Sequence, residues 1–346
     1  MAYAVAPAPD FRHGITLPCG TVFAVRDHGD GRIDLHPPEE PISPAELYHT
    51  SLQAFELLTA QGPEVALRLT GVGWTEILPR LVTEGIALAS SGGPFVLPEA
   101  FWQVPGPWLG QAQAPYPLLW QTGPHGRHPR RPPKPEGRLY RRHIPWLGQN
   151  FELHALTMDH LPLFHRWQND PRVAAFFEEA GSLEAHRAYL ERLLADPHMM
   201  PVIGMMEGVP FAYFELYWCR ENRLGAVYEA GPWDRGWHVL VGEAAYRGAA
   251  YITAWLPSLM HYMFLAEPRC ARIMGEPKAS HTQQLRNLGR AGFAHLRDFD
   301  FPHKRASLVQ LDRQHFFEAR LWARPEPAQG APLAFSSARI LDQGDW

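Results

Sequence analysis

The stretch His238-Val-Leu-Val-Gly-Glu-Ala-Ala-Tyr-Arg-Gly-Ala-Ala250 decides the fold. Its apolar opening, up to Gly242, reads as a buried strand, and Ala249–Leu265 continues as a long apolar helix. Between them Tyr246-Arg-Gly-Ala-Ala250 is a turn of small residues. A strand feeding such a turn leaves the first N–H groups of the next helix unpaired and outward-facing, which suits a pyrophosphate. Arg247 adds a charge-assisted contact there.

Outward from that junction the pattern stays ordered. Upstream lie a short strand at 152–156, helices at 160–167 and 182–194 (Ser182 as N-cap), and strands at 201–206 and 211–218 joined by Glu207-Gly208. Downstream come a strand at 272–275, a helix at 282–291 stopped by Gly292, and strands at 293–299 and 306–311. The order is β-α-α-β-β-β-α-β-α-β-β, a mixed α/β (α+β) domain over 150–325.

Thr122–Gly137, TGPHGRHPRRPPKPEG, interrupts the chain: five prolines, three glycines and no aliphatic side chain support neither a helix nor a central strand. Residues 122–149 are therefore expected to be a Pro/basic linker, and 326–346 a tail. The first 121 residues read as a separate α/β domain. A hairpin spans 20–36, a helix follows Ser43-Pro44, a strand covers 64–69 and a helix 74–84. Ser90-Ser-Gly-Gly93 has the look of an anion-binding turn, with a plain loop as the simpler reading.

Composition excludes several classes. The formal net charge is −4, with no long basic stripe, so no nucleic-acid partner is expected. No run approaches the ~18 apolar residues of a membrane span, and Met1–Phe11 lacks a secretory pattern. Cys19, Cys219 and Cys270 are too scattered for disulfides or zinc, so a reduced, cytoplasmic setting is expected. Eighteen histidines raise the question of a metal, but no H-E-x-x-H occurs; His154, His160 and His165 straddle a strand and a helix, and no metal site is expected. A G-x-S-x-G elbow is absent, which disfavours a serine hydrolase.

Six motifs in order carry a resemblance: LFHRWQNDPRV (Leu163–Val173), GVPFAYFELYW (Gly208–Trp218), DRGWHVLVG (Asp234–Gly242), YRGAAYITAWLPSLMHYMF (Tyr246–Phe264), IMGEP (Ile273–Pro277) and FPHKRASLV (Phe301–Val309). Together they resemble the siderophore-biosynthesis N-acyltransferases of the Gcn5-related N-acetyltransferase superfamily. That resemblance implies the superfamily's mixed central sheet flanked by helices, with the N-terminal half as a degenerate acyltransferase-like domain. It implies acyl transfer, most simply from acetyl-CoA, to the terminal N-hydroxyamine of a hydroxylysine, hydroxyornithine or hydroxydiamine, forming an iron-binding hydroxamate for iron acquisition.

The resemblance also assigns roles. His238 and Glu276 fall in the catalytic slots, a neutral imidazole accepting the nitrogen proton and a carboxylate orienting it or the nucleophile. Val239, Leu240 and Val241 would run beside the pantetheine. Arg247, Gly248, Ala249 and Ala250 would hold the phosphates. His281 stands where the superfamily often has Asn. His165, Trp167, Tyr213, Tyr217, Asp234, His303 and Lys304 are candidates for the acceptor pocket. Each has a plainer rival: packing for His165 and Trp167, and an Asp234–Arg235 ion pair. Tyr213 and Tyr217 share one face of their strand, opposite Trp218. The alternatives are a same-fold acyltransferase acting on an antibiotic, aminoacyl or protein amine, and an inactive CoA-binding sensor. Monomer and homodimer both remain open.

Overall fold

In a computed structural model, residues 13–323 are described, except 62, 63, 113 and 125. The expected tail at 326–346 lies outside them. The chain divides between Pro107 and Trp108 into two units.

In the first unit, β1 (His13–Thr16), β2 (Val22–Asp27) and β3 (Arg32–His36) form an antiparallel meander. Helix α1 (Pro44–Gln61) crosses to β4 (Ala66–Leu69), which pairs parallel with β3. After α2 (Leu78–Thr83), β5 (Phe95–Val96) closes the sheet antiparallel to β4, and α3 (Pro98–Phe101) follows. The helix expected from Trp74 begins later because Val72–Trp74 is a 3-10 turn. Ser90 is a loop residue: its hydroxyl accepts from the Gly92 N–H and donates to the Gly93 carbonyl.

The second unit begins with the hairpin β6 (Trp120–Gly123) and β7 (Gly126–Pro129). Strands β8 (Arg138–Ile144) and β9 (Gln149–Ala155) come next, then helices α4 (Leu161–Gln168), α5 (Pro171–Phe177) and α6 (Leu183–Ala195). Strands β10 (Met199–Met206), β11 (Val209–Trp218) and β12 (Arg235–Val241) precede α7 (Ala249–Ala266). The unit ends with β13 (Arg272–Gly275), α8 (Thr282–Arg290), β14 (Ala294–Phe301), β15 (Lys304–Asp312) and α9 (Arg313–Glu318). The eight-stranded sheet runs β14-β15-β13-β12-β11-β10-β9-β8. Residues 122–149, expected as linker, thus hold a hairpin and an edge strand of this sheet. Leu139, Tyr140 and Ile144 anchor that strand by burial, and the prolines end before it begins.

Local chemistry accounts for the elements that frame the site. Glu207 and Gly208 both adopt positive φ (48° and 73°), the tight turn that β10 and β11 need. Ser182 Oγ accepts the Ala185 N–H and starts α6. Strand β11 is buried on both faces. Phe214 and, on β12, Trp237 meet Trp255 of α7, whereas Tyr213 meets Phe164 of α4. Covered on both sides, β11 reads as a nearly continuous apolar run, and the polar residues within it require partners.

Candidate active site

The middle of the sheet opens. Strand β12 pairs with β11 along its whole length, from Arg235 to Val241. With parallel β13 it pairs only at Arg235↔Ile273 and Gly236↔Met274. From His238 onward no strand among the described residues pairs with the β13-facing edge of β12, so the backbone of Val239, Leu240 and Val241 borders a cleft. At the end of that cleft Gly248 turns with φ 102° into α7. The first helical bond is from the Ile252 N–H to the Gly248 carbonyl, which leaves the N–H groups of the preceding turn for an outside acceptor. Ala249 and Ala250 are exposed there. Arg247 behaves otherwise than expected: its guanidinium donates back to the Val241 carbonyl at 2.6 Å, tying the turn to the strand end. His281 occupies the N-cap position of α8, and its Nδ1 lies 2.9 Å from Gln284 Oε1 without bonding the helix N–H groups.

His238 points to the α4–α6 face and lies between two carboxylates. Its Nδ1 is 2.9 Å from Glu215 Oε2, and its Nε2 is 3.2 Å from Glu276 Oε1. The side chains of Glu215 and Glu276 are 5% and 2% exposed, against 25% for His238, so the imidazole is the part of the triad open to a substrate. Glu276 also accepts from Tyr217 Oη (3.0 Å) and Arg223 Nη2 (3.2 Å). Lys304 Nζ donates to the Glu276 carbonyl at 2.8 Å and stands 3.7 Å from its carboxylate. Glu215 accepts from Tyr213 (2.9 Å) and Tyr189.

These charges set the proton inventory. Burial disfavours the His238 imidazolium, but the Glu276 charge and the hydrogen bonds to both carboxylates outweigh it and raise its pKa to about 9. Burial likewise disfavours ionised Glu276, yet His238, Lys304 and Arg223 hold its pKa well below the usual carboxylate range. Glu215 is lowered in the same way against its own burial, chiefly by His238. Burial and the Glu215 charge keep the Tyr189 and Tyr213 phenols protonated. Both carboxylates thus favour the imidazolium over the neutral imidazole that proton acceptance requires.

Other expected pocket residues are placed differently. Trp167 is in the core, 1% exposed, its ring against Gly242 and its Nε1 donating to Glu243 at 2.8 Å. An indole in that position cannot line an open pocket. His165 pairs with His186, Nδ1 to Nδ1 at 2.8 Å, at the edge of α4. Asp234 is buried and bound by Arg272 (2.6 Å), Tyr228 (3.0 Å) and the Gly231 N–H (2.9 Å), so its ion pair is with Arg272 rather than with Arg235. Tyr213 and Tyr217 are fully buried and serve the two carboxylates. His303 is exposed at the β14–β15 tip, stacked on Phe301, which Arg223 also overlies. Glu215, Tyr189 and Arg223 were not foreseen. Glu215 was legible, because it sits between Tyr213 and Tyr217 on the same strand face, whereas Tyr189 and Arg223 arrive from distant segments.

Gly236 makes the arrangement feasible. A Cβ there would lie 2.2–2.6 Å from the Tyr217 ring and hydroxyl, so only glycine lets the phenol cross β12 to reach Glu276. Among the described residues no group of three or more His, Cys, Asp or Glu could hold a metal. No helix among them is long and apolar enough to cross a membrane.

Known proteins resemble this chain in sequence and fold. Residues 157–301 match the family model described as acetyltransferase (GNAT) domain. The N(6)-hydroxylysine O-acetyltransferase of Escherichia coli is 42% identical over 221 residues, covering 63% of this chain and 70% of that protein. The hydroxyornithine transacylase of Ajellomyces capsulatus is 45% identical over 199 residues, covering 56% of this chain and 45% of the fungal one. Among solved structures, an uncharacterized protein of Bacillus halodurans superposes with a TM-score of 0.51 at 24% identity, over 54% of this chain and 96% of that one.

Proposed function

The chain belongs to the acetyltransferase (GNAT) family, among its siderophore-biosynthesis acyltransferases, and from that premise we propose that it acylates the terminal N-hydroxyamine of a lysine, ornithine or diamine derivative, from acetyl-CoA, to give a hydroxamate. The observation that carries the reading is His238 held between Glu215 and Glu276 where β12 parts from β13. The opened edge at Val239–Val241 offers backbone groups to the amides of a pantetheine arm. The turn at Gly248–Ala250 offers N–H groups to its phosphates.

The chemistry follows from the triad. With Nδ1–H donated to Glu215, the neutral ring presents its Nε2 lone pair beside Glu276. With His238 neutral, Nε2 and Glu276 are both acceptors and repel unless a donor lies between them. An N-hydroxyamine brings two donors, N–H and O–H, one for each. Its nitrogen is largely neutral near pH 7 and attacks the thioester carbonyl directly. His238 then takes the proton that nitrogen sheds, and the imidazolium so formed is stabilised by both carboxylates and is placed to protonate the leaving thiolate. Direct transfer is the simpler route, since Cys219 and Cys270 are buried and burial pushes both thiols up, Cys270 to about 12. Lys304 and Arg223 hold Glu276 ionised, and His303, exposed beside Phe301, is proposed to meet the acceptor's far end.

The test mixes the protein with acetyl-CoA and succinyl-CoA against hydroxylysine, hydroxyornithine, hydroxycadaverine, hydroxyputrescine and their unhydroxylated parents. Thiol release, product mass and ferric complexation are read together. A product of the right mass that colours with iron(III) establishes N-acylation of that acceptor. Thiol release with a colourless O-acyl product would overturn the hydroxamate, and bound CoA without turnover of any acceptor would overturn the enzyme.

A further inference from the structure

The opposite face of β12 holds a second feature. A cavity of about 420 Å³ lies toward the C-terminal end of α7, lined among others by Lys134, Trp218, Arg235, Tyr262 and Leu265. Side chains alternate along the strand, so Arg235 faces away from His238 although only three positions separate them.

Arg235 is the unexplained group. It is 5% exposed, yet it forms no ion pair among the described residues. One Nη donates to the Met263 carbonyl at 3.2 Å, and Nε has no partner. Its guanidinium lies 4.9 Å from the Trp218 ring, and the Arg131 guanidinium lies 4.2 Å from that same ring. Arg131 has Glu221 as its acid, but a buried guanidinium with an unmet donor and no acid of its own is costly unless something anionic joins it.

The nearby acids are committed elsewhere. Glu267 pairs with Arg269 at 2.7 Å, Glu221 with Arg131 at 2.5 Å and Asp196 with His198 at 2.6 Å. Glu136 is exposed. Lys134 reaches only the carbonyls of Leu193 and Leu194, at 2.6 and 2.8 Å, and burial draws its pKa down to about 8. Among the described residues Arg235 and Lys134 thus line the cavity without an ion pair, beside Arg138 and the two carboxylates of its wall, Glu267 (held by Arg269) and exposed Glu136.

We propose that this cavity is an anion-binding site for a small organic carboxylate, with the carboxylate on Arg235 and a second polar end toward Lys134. Its volume suits a small molecule. Leu216, Leu265 and the rings of Trp218 and Tyr262 surround the charge with apolar surface, which favours a weakly hydrated organic acid over heavily hydrated phosphate. The site stands apart from the acyl-transfer reading and depends on none of it.

Calorimetric titration of the full chain with succinate, and separately with inorganic phosphate, tests the proposal. Succinate binds the native protein, and Arg235→Gln weakens it roughly tenfold or more, as loss of a charge-assisted pair requires. Because Arg235→Gln alters a buried position, a second measurement uses the native chain: succinate slows modification of Arg235 by phenylglyoxal, read by peptide mass. No heat at millimolar succinate, or Arg235 modified at the same rate with and without it, overturns the site. Phosphate binding as tightly as succinate overturns the carboxylate assignment.

Discussion

At the scale of single residues, His238 is governed by its two neighbours. With a pKa raised to about 9, the imidazole is mostly charged at neutral pH, and a base that must be neutral gains activity as pH rises. The expected kcat/KM profile climbs through an apparent pKa near 9. Glu215→Gln removes one of the charges that favour imidazolium, so the limb moves to lower pH. A limb that stays in place would show that Glu215 does not act through His238. The same shift has a stability consequence. The folded pKa lies above the ordinary 6.5, so this contribution is complete below about 6.5 and is lost as pH rises through about 9. His238→Gln is expected to lower kcat by ~10²–10⁴ with CoA affinity nearly intact; full activity would remove it as the base. His238 and Glu276 were legible as motif residues. The resemblance also implied that the carboxylate orients the imidazole or the nucleophile; the sheet brings the two, 38 positions apart, to 3.2 Å.

At the scale of elements, the working parts are a strand that leaves its neighbour and a helix that starts with free N–H groups. An acid placed in the first turn of α7 tests the second. Ala250→Glu suits a helix N-terminus and should leave the melting temperature unchanged or slightly raised. It should nevertheless raise KM for acetyl-CoA roughly tenfold or more by repelling the phosphates. An unchanged KM would take the phosphates away from this turn. Gly242 tests the strand end: an added Cβ would lie 2.3 Å from the Trp167 ring. Gly242→Ala should destabilise by about 1–3 kcal/mol through overpacking, read by denaturant unfolding. The periodicity placed nearly every element of 150–312. It missed β8, whose buried residues include Arg142 and are interrupted by exposed Arg138 and Arg141, and which sits next to prolines that read as linker. It missed α5 because Pro171 there opens a helix rather than ending one, capped by Asp170.

At the scale of the whole molecule, the first unit repeats part of the second. Three antiparallel strands, a helix, a parallel strand and an antiparallel neighbour make β1-β2-β3-α1-β4-β5, as they make β10-β11-β12-α7-β13-β15. We propose that the first unit is a diverged copy without a phosphate turn. Where α7 is preceded by small residues, α1 is preceded by Pro37-Pro-Glu-Glu-Pro41, acidic and short of N–H groups. All eight strands of the large sheet come from residues after 107. A chain starting at Trp108 is therefore expected to fold cooperatively and to bind CoA. Failure of that chain to give a single melting transition would show that the division at 107 is not a folding boundary.

The sequence by itself determined the element order and the strand–turn–helix junction, because periodicity and small-residue turns are local properties of the chain; the two catalytic candidates rested on the resemblance of its motifs. Only the tertiary structure decided what those residues are. It placed Trp167 and Asp234 in the interior and put Glu215 against His238. It also left Arg235 buried without an acid. Burial and charge pairing depend on which distant segments meet, and no local pattern encodes that.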